Sequence, residues 1–231
     1  VRNVVPANVA RNTVSTLVRT THLAVELCLA PFTPEHAGAV VGWVPSSDAL
    51  RLLAPGTQYP FTIEKMHKWL TPSTTAFVAL QGRTSIPLAY GELNRVSGST
   101  DRFWLGHVLV RPELRRAGLG TRFVGAMMSE AFLERHASKV ELIVFPENES
   151  AIRCYRRVGF RLAGSEVHRF REDGPAERML RLELTRKRFA ALASVRIRQG
   201  EVGVPLELSG STAIAAKTPS TKPPKICDTP L

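Results

Sequence analysis

The segment from Val108 to Gly120, VLVRPELRRAGLG, constrains this chain more than any other. An apolar strand-like run ends in a turn at Pro112, and the next regular element is opened by Gly118 and Gly120. Phe123, Met127, Ala131 and Phe132 follow at helical spacing. A helix that begins where a strand ends points unpaired backbone N–H groups, and the positive end of its dipole, beyond that strand. A pyrophosphate can dock there if no side chain covers the backbone. Gly118 permits that approach, Gly120 lets the helix lie close on the sheet, and Arg115, Arg116 and Arg122 add positive charge. No Gly-Lys-Ser/Thr follows, which excludes a Walker A loop, and the third glycine of a dinucleotide fold is missing. Alone, the glycines fit equally well in an ordinary loop that needs positive φ.

Around this segment the periodicities alternate. Leu23 to Leu29 reads as a short strand. Thr33-Pro34-Glu35 supplies a cap, a first-turn proline and an acid for a helix running to about Val44. Ser47 can cap a second helix to Leu53, and Thr62 a third from Ile63 to Leu70, stopped by Pro72. Thr75–Leu80 and Leu88–Leu93 flank the turn-like Gln81-Gly82-Arg83, predicting a hairpin. Phe103–Val110 is a long apolar strand, and Val140–Phe145 is a continuous one of the kind buried on both faces. Asn148–Arg157 reads as a helix, with strands from Phe160 onward and over Met179–Leu184. The fold class this predicts is α/β: a mixed sheet with helices packed on it.

The second informative segment is Asn148-Glu149-Ser150-Ala151-Ile152-Arg153-Cys154-Tyr155-Arg156-Arg157-Val158-Gly159-Phe160. Asn148 stands roughly two helical turns before Tyr155, so both side chains share one face of a short helix. Each residue also has a plainer role. Asn148 can cap the helix, Tyr155 can be a core aromatic, Gly159 can end the helix before a buried Phe160, and Cys154 can be a small buried hydrophobe.

Taken together, Arg-x-x-Gly-x-Gly at Arg115–Gly120 and Asn-x-x-Ala-x-x-x-Tyr-x-x-x-Gly-Phe at Asn148–Phe160 resemble the GCN5-related N-acetyltransferase (GNAT) superfamily. The resemblance spans residues 24–185 in element order. It implies a central, mostly antiparallel sheet with helices on both faces, whose fourth and fifth strands splay apart. The cofactor it implies is acetyl-CoA, used as co-substrate without a metal. The pantetheine arm would lie in the gap against Val108, Leu109 and Val110. The pyrophosphate would sit on the loop Arg115, Arg116, Ala117, Gly118, Leu119, Gly120 and Thr121, and Asn148 would bind the pantetheine arm. A backbone N–H of Leu109 or Val110 would stabilise the oxyanion, and Tyr155 would protonate the departing thiolate.

The resemblance leaves the general base open. Histone-type relatives carry a glutamate where this chain has Trp104, and ribosomal-protein alanine acetyltransferases carry one where it has Ile143. Glu92, His107 or a water remain, against the plainer roles of a structural ion pair and a packed histidine. The implied acceptor is a primary amine, a small molecule or amino acid first and a protein N-terminus or lysine second. A coenzyme-A-binding regulatory domain without turnover is a further alternative. The acceptor pocket is expected between Pro34 and Leu70, with Trp43, Trp69 and His67.

The net charge of +11 raises the question of nucleic acid, and its distribution answers it. Residues 1–23 hold three arginines and no acid. Residues 186–231 hold eight basic residues against three acids, leaving only +3 for residues 24–185. Basic ends without a reading motif predict no specific nucleic-acid partner. Residues 1–23 share the composition of organellar presequences but lack a signal peptide's apolar stretch, and they read as an N-terminal extension. Residues 186–231 read as a basic tail, rich in Ser, Thr, Pro and Lys and largely disordered. No apolar run reaches the ~20 residues that span a bilayer, so no membrane is expected. Cys28, Cys154 and Cys227 form no disulfide or zinc pattern, which suits a reducing, cytoplasmic setting. Deleting Ser209–Leu231 is therefore expected to leave the melting temperature and coenzyme A affinity unchanged, as scanning calorimetry and titration would read.

Overall fold

Each predicted strand and helix between Leu27 and Thr185 has a counterpart in the computed structural model, which describes residues 27–81, 84–172 and 174–198. Residues 1–26, the turn positions 82 and 83, and the stretch from 199 to 231 lie outside the described residues. The readings of an N-terminal extension, a strand beginning at Leu23 and a tail beyond 198 fall there. Among the described residues, no helix is long and apolar enough to cross a membrane.

Seven strands among the described residues form one sheet in the order β1-β2-β3-β4-β5-β7-β6. They are β1 (Leu27–Pro31), β2 (Thr74–Gln81), β3 (Pro87–Arg95), β4 (Arg102–Val110), β5 (Lys139–Val144), β6 (Arg161–Arg169) and β7 (Ala176–Thr185). Every pairing is antiparallel except β4 with β5. Side-chain alternation divides the sheet into two apolar faces. One face, with Phe77, Leu93, Phe103 and Leu142, packs against α4 (Leu119–Ser129) and α5 (Glu149–Val158). The other, with Val78, Tyr90 and Leu109, is covered by α1 (Ala37–Gly42), α2 (Ser47–Leu53) and α3 (Ile63–His67). The mixed sheet with helices on both faces is as expected.

Several boundaries move for local reasons. The first predicted helix is split: Pro34–His36 forms a 3₁₀ turn, and α1 starts at Ala37. The cap of α2 is Ser46, whose Oγ accepts from the Ala49 N–H at 3.2 Å, rather than Ser47. Thr62 caps α3 as expected, but the helix ends at His67. The largest difference is at the C-terminal boundary. Residues Arg186–Arg198, assigned above to the tail, form α6. Phe189 of α6 stacks on the buried Phe132 at 4.8 Å, and Arg188 Nε donates to the Gly159 carbonyl at 2.6 Å. The folded unit therefore extends past Thr185.

The β4–β5 pairing decides the shape of the site. It runs only over Arg102↔Lys139, Phe103↔Val140 and Trp104↔Glu141 and then stops, while β5 continues along β7 to Val144↔Leu180. From Leu105 onward the two strands diverge toward their carboxyl ends. The predicted splay is present. Glu141, 2% exposed, marks its pivot. Its carboxylate accepts from Arg102 at 2.6 Å and lies 3.0 Å from Lys139 Nζ. Burial pushes the Glu141 carboxyl up, but the Arg102 and Lys139 hydrogen bonds and charges outweigh it and leave it below the usual range. A carboxyl depressed by folding contributes stability above its unfolded pKa and loses it as pH falls through the folded value. Glu141→Gln is expected to cost about 1–3 kcal/mol at neutral pH, less than a fully enclosed pair because both cations reach solvent. The deficit should shrink below about pH 4, where the unfolded-state glutamate takes up its proton. Urea unfolding at the two pH values measures both effects.

Candidate functional site

The divergence of β4 from β5 opens a cleft of about 600 Å³. It lies at the carboxyl ends of two parallel strands, the usual crevice for ligands in such sheets. Each strand leads into a helix that starts at the mouth. Gly118, φ 81° and ψ −5°, is the residue before α4, and no side chain caps that end. The N–H groups of Leu119, Gly120 and Thr121 therefore have no helical partner. A Cβ built on Gly118 meets nothing within 4 Å, so the backbone is open to an incoming group. Arg116, at φ 64°, shares the left-handed turn that aims these amides outward. At Gly120 a Cβ would meet Val110 Cγ2 at 3.4 Å and Cys154 Sγ at 3.7 Å, which is how α4 lies close on β4 and α5.

Asn148 performs its plainer role: Oδ1 accepts from the Ala151 N–H at 3.2 Å and caps α5. The cap fixes the side chain at the cleft wall. Two turns on, Tyr155 lies on the same wall, its ring edge-on to Phe160 with centroids 5.8 Å apart. Gly159, at φ 125°, ends the helix, with the Gly159 and Phe160 N–H groups folding back onto the Arg156 and Tyr155 carbonyls. Burial, with a smaller contribution from Cys154, pushes the Tyr155 phenol well above its ordinary value, so it holds its proton at neutral pH. Burial also raises the Cys154 thiol, against the Thr121 hydrogen bond and the Arg157 charge, so Cys154 is not a ready nucleophile.

Backbone direction distinguishes the two oxyanion candidates. Arg111 N–H donates to the Leu88 carbonyl across β3. Along the register Ala89↔Val110, Tyr90↔Leu109, the alternation of antiparallel pairing turns Leu109 toward β3 and Val110 toward the open side. Val110 is thus the better placed. Further back, the register slips between Tyr90 and Glu92, so β4 carries an extra residue. His107, at φ 45°, sits in this bulge. A non-glycine residue there costs of order 1–3 kcal/mol of strain, which marks the position for attention.

Ten of the twelve residues assigned to the site from sequence line the cleft: Val108, Leu109, Val110, Arg115, Arg116, Gly118, Gly120, Thr121, Asn148 and Tyr155. Ala117 is exposed outside it, and the Leu119 side chain is buried in the core, leaving only its N–H for the site. The Arg115 guanidinium is engaged with the Val110 and Trp43 carbonyls at 3.0 and 3.2 Å, so it braces the mouth more than it offers free charge. Also on the cleft are Ala49, Leu52 and Leu53 of α2, from the stretch expected to build the acceptor pocket, with Arg153 and Arg157 of α5. Trp43 lines the cleft as expected. Trp69 and His67 do not: Trp69 stacks on His107, and His67 is exposed.

Residues 46–160 match the acetyltransferase (GNAT) family. With the splayed sheet and the two motif segments on its cleft, the chain belongs to that family. It is similar to spermidine N(1)-acetyltransferase of Escherichia coli, 32% identical over 84 residues, which are 36% of this chain and 45% of that protein. It is also similar to aminoglycoside N(6')-acetyltransferase type 1 of Klebsiella pneumoniae, 29% identical over 133 residues, 53% of this chain and 62% of that one. The matches thus span about half the length of these relatives. Among solved structures, spermidine N-acetyltransferase from Vibrio cholerae in complex with CoA and spermine superposes with a TM-score of 0.60 at 14% identity, covering 71% of this chain and 98% of that one. AAC(6')-Ib in complex with ribostamycin and coenzyme A gives 0.59 at 20% identity, covering 71% and 96%.

Gly118→Val places a branched side chain over the open amides and forces it into a left-handed backbone. At least a tenfold loss of coenzyme A affinity by calorimetry is expected, with a cooperative melting transition retained. Unchanged affinity would remove the phosphate role from this turn.

Proposed function

We propose that the chain transfers an acetyl group from acetyl-CoA to a primary amine by direct attack on the thioester. The observation that carries this reading is the gap between β4 and β5, walled by the uncapped start of α4 on one side and Tyr155 on the other. The amides at Leu119–Thr121 would receive the pyrophosphate, and the open edge of β4 at Val108–Val110 would pair with the pantetheine amides. The acceptor we infer is a small, multiply charged amine, because the relatives include proteins named for spermidine and for aminoglycosides.

The neutral amine nitrogen attacks the thioester carbonyl carbon, and negative charge gathers on its oxygen. The Val110 N–H is the donor directed at that charge. As the C–S bond breaks, Tyr155 gives its phenolic proton to the leaving thiolate. At neutral pH the phenol carries its proton, as that step requires. Tyr155→Phe keeps the ring against Phe160 and removes only the hydroxyl. Turnover is expected to fall by about 10²-fold with KM for acetyl-CoA little changed. Thiol release measured with spermidine and with ribostamycin as acceptors tests it, and wild-type kcat in the variant would refute the role.

A further inference from the structure

Glu92 of β3 is 1% exposed, and among the described residues no arginine or lysine forms an ion pair with it. Its Oε1 accepts from the Tyr90 hydroxyl at 2.6 Å, and its Oε2 accepts from Asn94 Nδ2 at 3.4 Å. Asn94 is oriented from its other side by Thr74, whose hydroxyl donates to Asn94 Oδ1 at 2.6 Å. The Tyr90 phenol, pushed far up by burial and by the adjoining carboxylate, remains a donor. Oε2 also lies 2.8 Å from Nδ1 of His107, the strained residue of the β4 bulge. With Glu92 taken as the carboxylate, Nδ1 is the N–H donor of this pair. The other ring nitrogen, Nε2, then holds a free lone pair.

The His107 ring is fixed on a face as well as at an edge. It stacks on Trp69 with centroids 3.8 Å apart and planes at 18°. Trp69 is held in turn by Phe61, stacked at 4.6 Å, and by its Nε1 hydrogen bond to Thr57 at 3.1 Å. The bulge is what puts His107 here. Strict alternation after Gly106 would send its side chain to the α4 side of the sheet. Gly106 keeps the neighbouring space clear, since a Cβ there would come within 3.1 Å of Asn94 and 3.7 Å of Glu92. Leu109, on the same face as this network, lines the cleft, and the His107 side chain remains 25% exposed.

The geometry points to His107 as the general base of the transfer, with Glu92 as its positioning residue. This rests on the acetyl-transfer reading above. Nε2 takes a proton from the ammonium form of the acceptor, and the buried Glu92 carboxylate stabilises the imidazolium through Nδ1–H. The neutral amine forms its bond to the carbonyl carbon while the carbon–sulfur bond breaks. The thiolate leaves with the Tyr155 proton, and the second amine proton passes through solvent to restore the phenol. The imidazolium releases its proton to solvent, so one proton is produced per turnover. The base works from the α1–α3 face and the acid from the α5 wall, so the two proton transfers do not compete for one position.

His107→Gly is the discriminating variant, because glycine adopts φ 45° freely and the fold should persist. Expected is a fall of about 10²-fold in kcat with coenzyme A affinity unchanged, and partial, concentration-dependent recovery on adding imidazole. In Glu92→Gln, kcat should fall by about tenfold or more, the low end of general acid–base effects or below. The loss should fall on kcat and leave KM for acetyl-CoA unchanged, whereas a merely structural role would lower the melting temperature and affect both constants. Wild-type kcat in His107→Gly, or a loss that imidazole does not restore in protein that still melts cooperatively and binds coenzyme A, would overturn the assignment alone. If His107→Gly does not fold, His107→Gln takes its place, and there a wild-type kcat overturns it. Wild-type protein that binds coenzyme A yet releases no thiol with spermidine, ribostamycin or a wider set of primary amines would overturn the acetyl-transfer reading, and this one with it.

Discussion

The short parallel pairing of β4 with β5 is the constraint on which the rest depends. Two adjacent strands of a buried sheet normally satisfy each other's N–H and C=O groups along their whole length. Here pairing ends after Trp104↔Glu141, so the inner edges beyond it are left to find other partners. An extended, amide-bearing ligand can supply them, and it will do so only if the two strands are kept apart. The buried Glu141, bonded to Arg102 across the pivot and to Lys139 on its own strand, joins the strands at one end. At the other end Arg51 of α2 bridges Glu147, just beyond β5, and Glu177 of β7, with its guanidinium 4.4 Å over the Phe145 ring. The gap is thus braced at both ends by charge and not by a wall that would fill it.

With the gap fixed, the helices become the source of its polarity. Both α4 and α5 begin at its mouth, one uncapped and the other capped by Asn148. The difference matters chemically. An open helix start offers amides to an anion, whereas a side-chain cap consumes them and leaves a rigid wall instead. Gly120 couples the two, because its missing Cβ brings α4 within contact of Cys154 on α5. Tyr155 is then carried to the cleft by a helix whose start, end and packing are each fixed by a named residue.

What could be read from the sequence was what is local. Gly118, Gly120 and the Asn148–Phe160 helix are contiguous signals, and the backbone groups they expose follow from helix geometry alone. The splay and the helices on both faces came with the family resemblance. Harder to read were features that depend on register. The bulge at His107 is an offset between β3 and β4, and nothing in the run RFWLGHVLV announces which residue is the extra one. Glu92 and His107 could be nominated separately, but their 2.8 Å contact and the Trp69 stack are consequences of that offset. The helix Arg186–Arg198 was missed because it opens on Arg186-Lys187-Arg188, which reads as the start of a basic tail, whereas Arg188, Phe189 and Leu192 reach back to the folded unit.

The two halves of the site are built from different materials, and this bears on how such a chain can change its acceptor. On the proposed reading the coenzyme half would use mostly backbone: amides at Leu119–Thr121, the open edge of β4, and glycines that matter by having no side chain. Substitution there is tolerated only where it leaves backbone exposed. The acceptor half would use side chains from α1, α2 and the segment after α3, together with the strained bulge held by Trp69 and Glu92. Most of those residues lie across the sheet from the packing of α4 and α5, but the two halves touch where Arg115 donates to the Trp43 carbonyl and where Arg51 meets Glu147. On the proposed reading, a backbone-built coenzyme site would tolerate few substitutions, while the side chains at the end of α1 and on α2 at the same cleft would be the ones free to vary with the acceptor.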